Sequence, residues 1–181
     1  NADQINGNTG IRLFGFTING NKPYQTAGNG INFRKVSNLV IEDLKIRDCW
    51  SSGIYFDETA ADIEVESCII YSNGISAGSG IYVNSSALSN LLISNCTIYS
   101  NKTNGIYITG TDGAGVKIIG NYIYGHSTAN DGIKVYNIKD IIIAANVIEG
   151  ANNGGMELNM TSNSIITSNC VTNANHGINI S

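Results

Sequence analysis

Apolar residues come in short alternating bursts along this chain, and the bursts recur. "SGIYFD" (52–57), "SGIYVN" (79–84) and "NGIYIT" (104–109) each set two apolar residues around a tyrosine. Period-2 alternation sends the flanking pair to one face and the tyrosine to the other. The glycines that open this motif are Gly30, Gly53, Gly80, Gly105, Gly132, Gly155 and Gly177, spaced by 22 to 27 residues. A second burst follows: "NLVIEDLKI" (38–46), "DIEVESCII" (62–70), "NLLISNCTI" (90–98), "GVKIIGNYI" (115–123), "DIIIAANVI" (140–148) and "SIITSNCVT" (164–172). "GIRLFGFTI" (10–18) is an earlier copy without its Gly-Ile half. No unit carries a heptad or a 3.6-residue period, which rules out a helical solenoid.

Each unit therefore reads as three short strands, too small to bury its own apolar face but able to do so when stacked on its neighbours. The predicted fold is all-β: a right-handed, single-stranded parallel β-helix of about seven coils over residues 10–181, behind a polar lead-in at 1–9. Matching positions then lie about 4.8 Å apart along the axis. One inward ladder is Ile31, Ile54, Ile81, Ile106, Ile133, Met156 and Ile178; a second is Phe33, Phe56, Val83, Ile108, Val135, Leu158 and Ile180. A third side begins with Leu39, Ile63, Leu91, Val116, Ile141 and Ile165. A corner column runs Leu44, Cys68, Cys96, Asn121, Asn146, Cys170, where stacked asparagines would bond along the axis and satisfy turn backbone. The chain starts and stops mid-repeat, which predicts a longer protein or an end-to-end assembly, since open coils expose strand edges.

Composition narrows the function. Of 181 residues, 13% are charged, the net charge is −4, and no Lys/Arg stripe exists, so nucleic acid is not an expected partner. The longest greasy run, "IIIAA" (141–145), is strand-sized, so no membrane insertion is expected. The four cysteines lack metal spacing and are expected as free thiols; neither a metal nor a cofactor is expected.

This recurring unit, with the opening "FTINGNKPYQTAGNGINF" (16–33), resembles the parallel β-helix repeats of the pectate-lyase-like superfamily across residues 10–181. The resemblance implies an extracellular or cell-surface protein whose ligand is a polysaccharide lying along the first-strand face. The superfamily includes lyases, hydrolases, epimerases and non-catalytic spikes, so the fold leaves activity open. Polygalacturonase-type hydrolases are a narrower comparison: "AND" ending at Asp131 and "NHG" at His176 fall roughly in register with their motifs. "NNGG" (152–155) stands where their paired acids belong, and that assignment is rejected.

The outward column of the first strand carries the candidate chemistry: Asn32, Tyr55, Tyr82, Tyr107, Lys134, Glu157, Asn179. Tyr55, Tyr82 and Tyr107 make either a sugar platform or a stacking ladder that stabilises the sheet. A second stripe, Tyr71, Tyr99 and Tyr124, favours the structural habit. Lys134 and Glu157 make an exposed ion pair or, with Lys134 as general base, a β-elimination site on a uronic acid. Asp131 and His176 precede their strands as turn caps or as members of that site. Asp131 and Glu157 fall roughly 11 Å apart by strand geometry, beyond the window of about 5–9.5 Å that paired glycosidase carboxylates need.

The longest connections (19–29, 71–79, 124–131) all wall one side of this face. Ile142, Val147, Ile166 and Val171 are expected outward, as an interface for a covering segment or a homo-oligomer. The functional expectation is a polysaccharide-binding or polysaccharide-processing protein, with lyase chemistry on a uronic-acid polymer if it is an enzyme. The alternative is a non-catalytic spike, adhesin or filament segment.

Overall fold

The computed structural model describes residues 7–126 and 130–181; residues 1–6 of the expected lead-in and 127–129 of the 124–131 connection lie outside the described residues. In chain order the strands are β1 (Asn8–Phe14), β2 (Thr17–Asn19), β3 (Ile31–Glu42), β4 (Lys45–Arg47), β5 (Ile54–Glu66), β6 (Ile69–Tyr71), β7 (Ile81–Ser94) and β8 (Thr97–Tyr99). They continue as β9 (Ile106–Ile119), β10 (Tyr122–Tyr124), β11 (Ile133–Ala144), β12 (Val147–Glu149), β13 (Gly154–Asn159), β14 (Ser162–Thr167), β15 (Cys170–Thr172) and β16 (His176–Ile180). One sheet stacks β1-β3-β5-β7-β9-β11-β13-β16, with β14 beside β11; the other stacks β15-β12-β10-β8-β6-β4-β2. The pairings are parallel, each strand lying on the copy one coil away, so the chain is a β-helix of stacked coils. The first two segments of each unit mostly run together as one long strand, kinked at register shifts near Phe33, Glu58 and Tyr136.

Corners are made by single left-handed residues. One column is Asn38, Asp62, Asn90, Asp140 and Asn163; a second holds Asp43, Ser67, Asn95, Ala145 and Ser168; a third holds Asp48, Ser72, Ser100 and Asn173, all at φ between 50° and 56°. Asn and Asp tolerate this region because their short polar side chains bond locally, which explains their abundance at these steps. The inward ladders match the sequence register: Ile54, Ile81, Ile106, Ile133 and Met156 are one strand apart and fully buried, as are Phe56, Val83, Ile108, Val135 and Leu158. Each such side chain contributes roughly 1.5–3 kcal/mol.

Buried amides fix the register. Asn121 Oδ1 accepts the Cys96 N–H at 2.9 Å, while its Nδ2 donates to Ile93 O at 3.0 Å and to Asn146 Oδ1 at 2.9 Å. Asn146 repeats this with Asn121 N–H, Ile118 O and Asn169 Oδ1. A second ladder, at the third corner, holds Asn73 and Asn101, with Cys49 below donating its N–H to Asn73 Oδ1 at 3.1 Å. All four cysteines are free thiols, three of them buried.

The final coil departs from the expected register by one residue. Ile141 pairs with Ser164, Ile142 with Ile165 and Ile143 with Ile166, so Ile165 is exposed and Ile166 points inward. Asn169 takes the corner position expected for Cys170, and Cys170 is exposed. Val171 pairs with buried Ile148 and packs on the core. Of the four expected outward aliphatics, Ile142 and Val147 face out, whereas Ile166 and Val171 do not. The offset from the previous coil is constant, Met156 on Ile133, Ser164 on Ile141 and Cys170 on Val147, so Ser164 rather than Ile165 takes the first inward position, and a reading shifted by one residue puts each side chain on the other face.

His126 occupies the next position of the Asn73–Asn101 ladder, buried, with its Nε2 where the amide nitrogens of its neighbours lie, against Gly105. Neither ring nitrogen makes a hydrogen bond among the described residues, and burial pushes its pKa down to about 4, offset in part by backbone at Asn101 and Ile98. With the folded pKa depressed, the unfolded chain binds the proton more readily, so this group removes stability as pH falls from 6.5 toward 4. His126→Asn completes the ladder: urea unfolding at neutral pH should show a gain of about 1 kcal/mol, and the advantage should widen at pH 4.5.

Candidate functional site

The first-strand column stacks as its repeat dictates. Asn32 pairs with Tyr55, Tyr55 with Tyr82, Tyr82 with Tyr107, Tyr107 with Lys134, Lys134 with Glu157, and Glu157 with Asn179. Tyr82 and Tyr107 are parallel, centroids 5.0 Å apart and 3° between planes; Tyr55 is tilted 47° on Tyr82 at 5.1 Å. Each stacked ring covers a face of its neighbour, so this row turns edges and hydroxyls outward more than open faces. Burial, with the neighbouring Tyr107 and Tyr55, holds the Tyr82 hydroxyl above its ordinary pKa, so it stays a donor. The second stripe is stacked more tightly, Tyr71–Tyr99 at 4.7 Å and Tyr99–Tyr124 at 4.8 Å.

At the end of the tyrosine row, three charged groups converge. Lys134 Nζ donates to Glu157 Oε1 at 2.9 Å and lies 3.9 Å from Asp131 Oδ2. Their side chains are 29%, 16% and 3% exposed for Lys134, Glu157 and Asp131, so Lys134 and Glu157 face solvent while Asp131 backs them. Asp131 belongs to a column of short polar residues that cap the coil above. Ser52 N–H donates to Asn29 Oδ1, Ser79 N–H to Ser52 Oγ, and Asp131 N–H to Asn104 Oδ1. Asp131 continues the pattern: its Oδ1 accepts from Gly154 N–H and from Asn153 Nδ2, both at 2.9 Å.

That leaves Oδ2 for Glu157 and Lys134. Burial, then the hydrogen bond with Glu157 and its charge, push Asp131 up to about 6, against the pull of Asn153 and Lys134. Burial also acts upward on Glu157, but hydrogen bonds from Lys134 and Asp131 outweigh it and hold Glu157 below its ordinary value. The two carboxyls, expected roughly 11 Å apart from strand geometry, converge because both side chains reach Lys134 Nζ, and Gly154 has no side chain to press on Asp131 Oδ1. Chemically the pair gives up its last proton near pH 6, beside a fixed ammonium.

His176 stands apart. Its backbone pairs with Gly154 and its N–H donates to Asn153 O, but its ring is exposed and makes no hydrogen bond or ion pair among the described residues. Asn153 and Gly154, the donors that orient Asp131, were not foreseen as site residues; their signal was the "NNGG" step beside Asp131 in the repeat alignment. A groove of about 480 Å³ lies on the adjacent side of the coil, lined by Asn38, Asp62, Glu64, Asn90, Leu92 and Lys117. Among the described residues no three His, Cys, Asp or Glu side chains gather as metal ligands would, and no helix is long and apolar enough to cross a membrane.

A raised carboxyl weakens the fold: the folded state keeps its proton longer than the unfolded chain, so this contribution declines as pH rises from 3.8 through 6. Asparagine, already present at positions 29 and 104 of the column, would keep the acceptor for Gly154 and Asn153. Asp131→Asn should therefore melt higher than the native protein, with a margin that grows between pH 5 and 7.5. A variant less stable at both values would contradict the assignment of Asp131 as the costly proton holder. In carbon-detected titration, Lys134→Met should move the Asp131 transition further upward.

The family model described as "Right handed beta helix region" matches residues 1–123 and 89–181. No curated protein matches the sequence. Among solved structures the chain is similar to the Azotobacter vinelandii mannuronan C-5 epimerase A-module, at 11% identity and a TM-score of 0.44, covering 94% of this chain and 76% of that one.

Proposed function

Because the chain belongs to the right-handed beta-helix family, we propose that its tyrosine-bearing face binds an extended polysaccharide and that Glu157, Lys134 and Asp131 process it by proton transfer. The observation that carries this reading is the convergence of Glu157 and Asp131 on Lys134 at the end of a tyrosine row. A linear polymer lying along the axis meets tyrosine hydroxyls about 4.8 Å apart, each able to donate or accept to a sugar hydroxyl. Asp131, turned away from solvent, takes up the proton; Glu157, more exposed and held by Lys134, exchanges it with the sugar. Lys134 holds Glu157 in place, so the base assigned to Lys134 from the sequence is better assigned to the carboxyl pair.

The finer reading is elimination on a uronic-acid unit. There the carboxyl pair takes the proton beside the sugar carboxyl, a carbon–carbon double bond forms, and the glycosidic bond breaks, its oxygen protonated by water. Structural polysaccharides of this kind lie outside cells, and we place the protein there or at the cell surface.

Tyr107→Ala should weaken polysaccharide binding by roughly 1 kcal/mol in calorimetry. Asp131→Asn should leave that binding intact and lower turnover by about 10²-fold or more, read as new absorbance from an unsaturated product. Full turnover in Asp131→Asn would remove the carboxyl pair from the mechanism, and absence of binding to every polymer tried would remove the reading itself.

A further inference from the structure

The charge around the site says which sugar unit it accepts. A carboxylate on the sugar needs a cation to meet it, and Lys134 is the one cation in the column Asn32–Tyr55–Tyr82–Tyr107–Lys134–Glu157–Asn179. Its charge is already matched: Glu157 lies at 2.9 Å and Asp131 at 3.9 Å. Lys139, on the same strand, is matched by Asp112, and Arg34 and Lys35, further along the sheet, by Glu58, while Lys117 of the adjacent coil lines the groove on the next side instead. Two carboxyls against one ammonium leave the cluster neutral when the pair holds its proton and negative when it does not. In neither state does it attract an anion.

Building on the polysaccharide reading above, we infer that the subsite at Lys134 and Glu157 selects an uncharged sugar unit, with Glu157 as the residue that sets this selectivity. Such a unit is either a plain sugar or a uronic acid whose carboxyl is masked as an ester. The ester is the form that keeps the elimination chemistry open, because it acidifies the neighbouring C–H without carrying charge. Glu157 sets the selectivity in two ways. It cancels the ammonium that would otherwise pair with a sugar carboxylate, and its own charge repels one placed alongside. The buried Asp131 behind it adds to that repulsion above pH 6, where it ionises.

The test uses mannan, glucan and galactan oligosaccharides, each as the plain sugar, the C6-carboxylate and the C6 methyl ester, so that only the charge at C6 changes within a set. On the backbone that binds, the plain or ester form should bind about tenfold tighter than the carboxylate at low salt, the gap narrowing as salt screens it. Glu157→Gln, assayed for binding alone, should release Lys134 and narrow the gap from the other side, by tightening the carboxylate form. The plain and ester arms separate the two sources of neutrality, since only the ester should also give an unsaturated product. A carboxylate form that binds tighter than its neutral counterparts, or a Glu157→Gln protein with an unchanged gap, overturns the inference while leaving the polysaccharide reading standing. Failure of every form on all three backbones overturns both.

Discussion

Register is the constraint on which this molecule rests. Each coil must lie on the last so that every buried amide finds its partner: Asn121 on Asn146, Asn146 on Asn169, Asn73 on Asn101. A buried amide left unpaired costs roughly 1–3 kcal/mol, and a slip of one residue would strand several at once while turning each inward aliphatic to solvent. The left-handed corner residues enforce the same condition from outside, because three of them per coil set where each strand begins. Hydrophobic burial supplies the driving force, but it is tolerant of a slip by two; the amides and corners are not.

The site is a consequence of that register. No loop has to fold around Lys134 and Glu157 to bring them together: they are neighbours because positions 134 and 157 repeat one coil apart. What the sequence adds is substitution within standing columns. In one column tyrosine gives way to lysine and then glutamate; in another, neutral caps give way to Asp131. An acid in a column that elsewhere uses Asn and Ser weakens the fold, and it sits where its second oxygen reaches the ion pair. His126, in a ladder that elsewhere uses asparagine, is a similar departure, its ring nitrogens unbonded among the described residues.

Most of the architecture was legible in the chain because the repeat is marked by glycines that tolerate no side chain: a Cβ at Gly80 or Gly105 would press on Ile98 or Ile123 of the same coil. Aligning those glycines fixed the inward ladders, the tyrosine row and the Lys134–Glu157 contact. Three things were not legible. The convergence of Asp131 and Glu157 on Lys134 depends on side-chain reach, and strand spacing measures only backbone. In the last coil a serine, Ser164, stands at the first inward position, and pattern alignment chose Ile165 over Ile166, since two adjacent isoleucines satisfy either register. The second amide ladder hides in "YSN" at 71–73 and 99–101, where serine and asparagine read as ordinary turn residues.

The central claim is that buried amides lock the coils in register, and side-chain hydrogen exchange measures it most directly. The NH₂ protons of Asn101, Asn121 and Asn146, each bonded to a carbonyl or amide of another coil, should exchange as slowly as the backbone amides of the strands around them. Exchange at the rate of an exposed asparagine such as Asn84 would mean that the ladders are not closed, and the stacked columns of the site would lose their foundation.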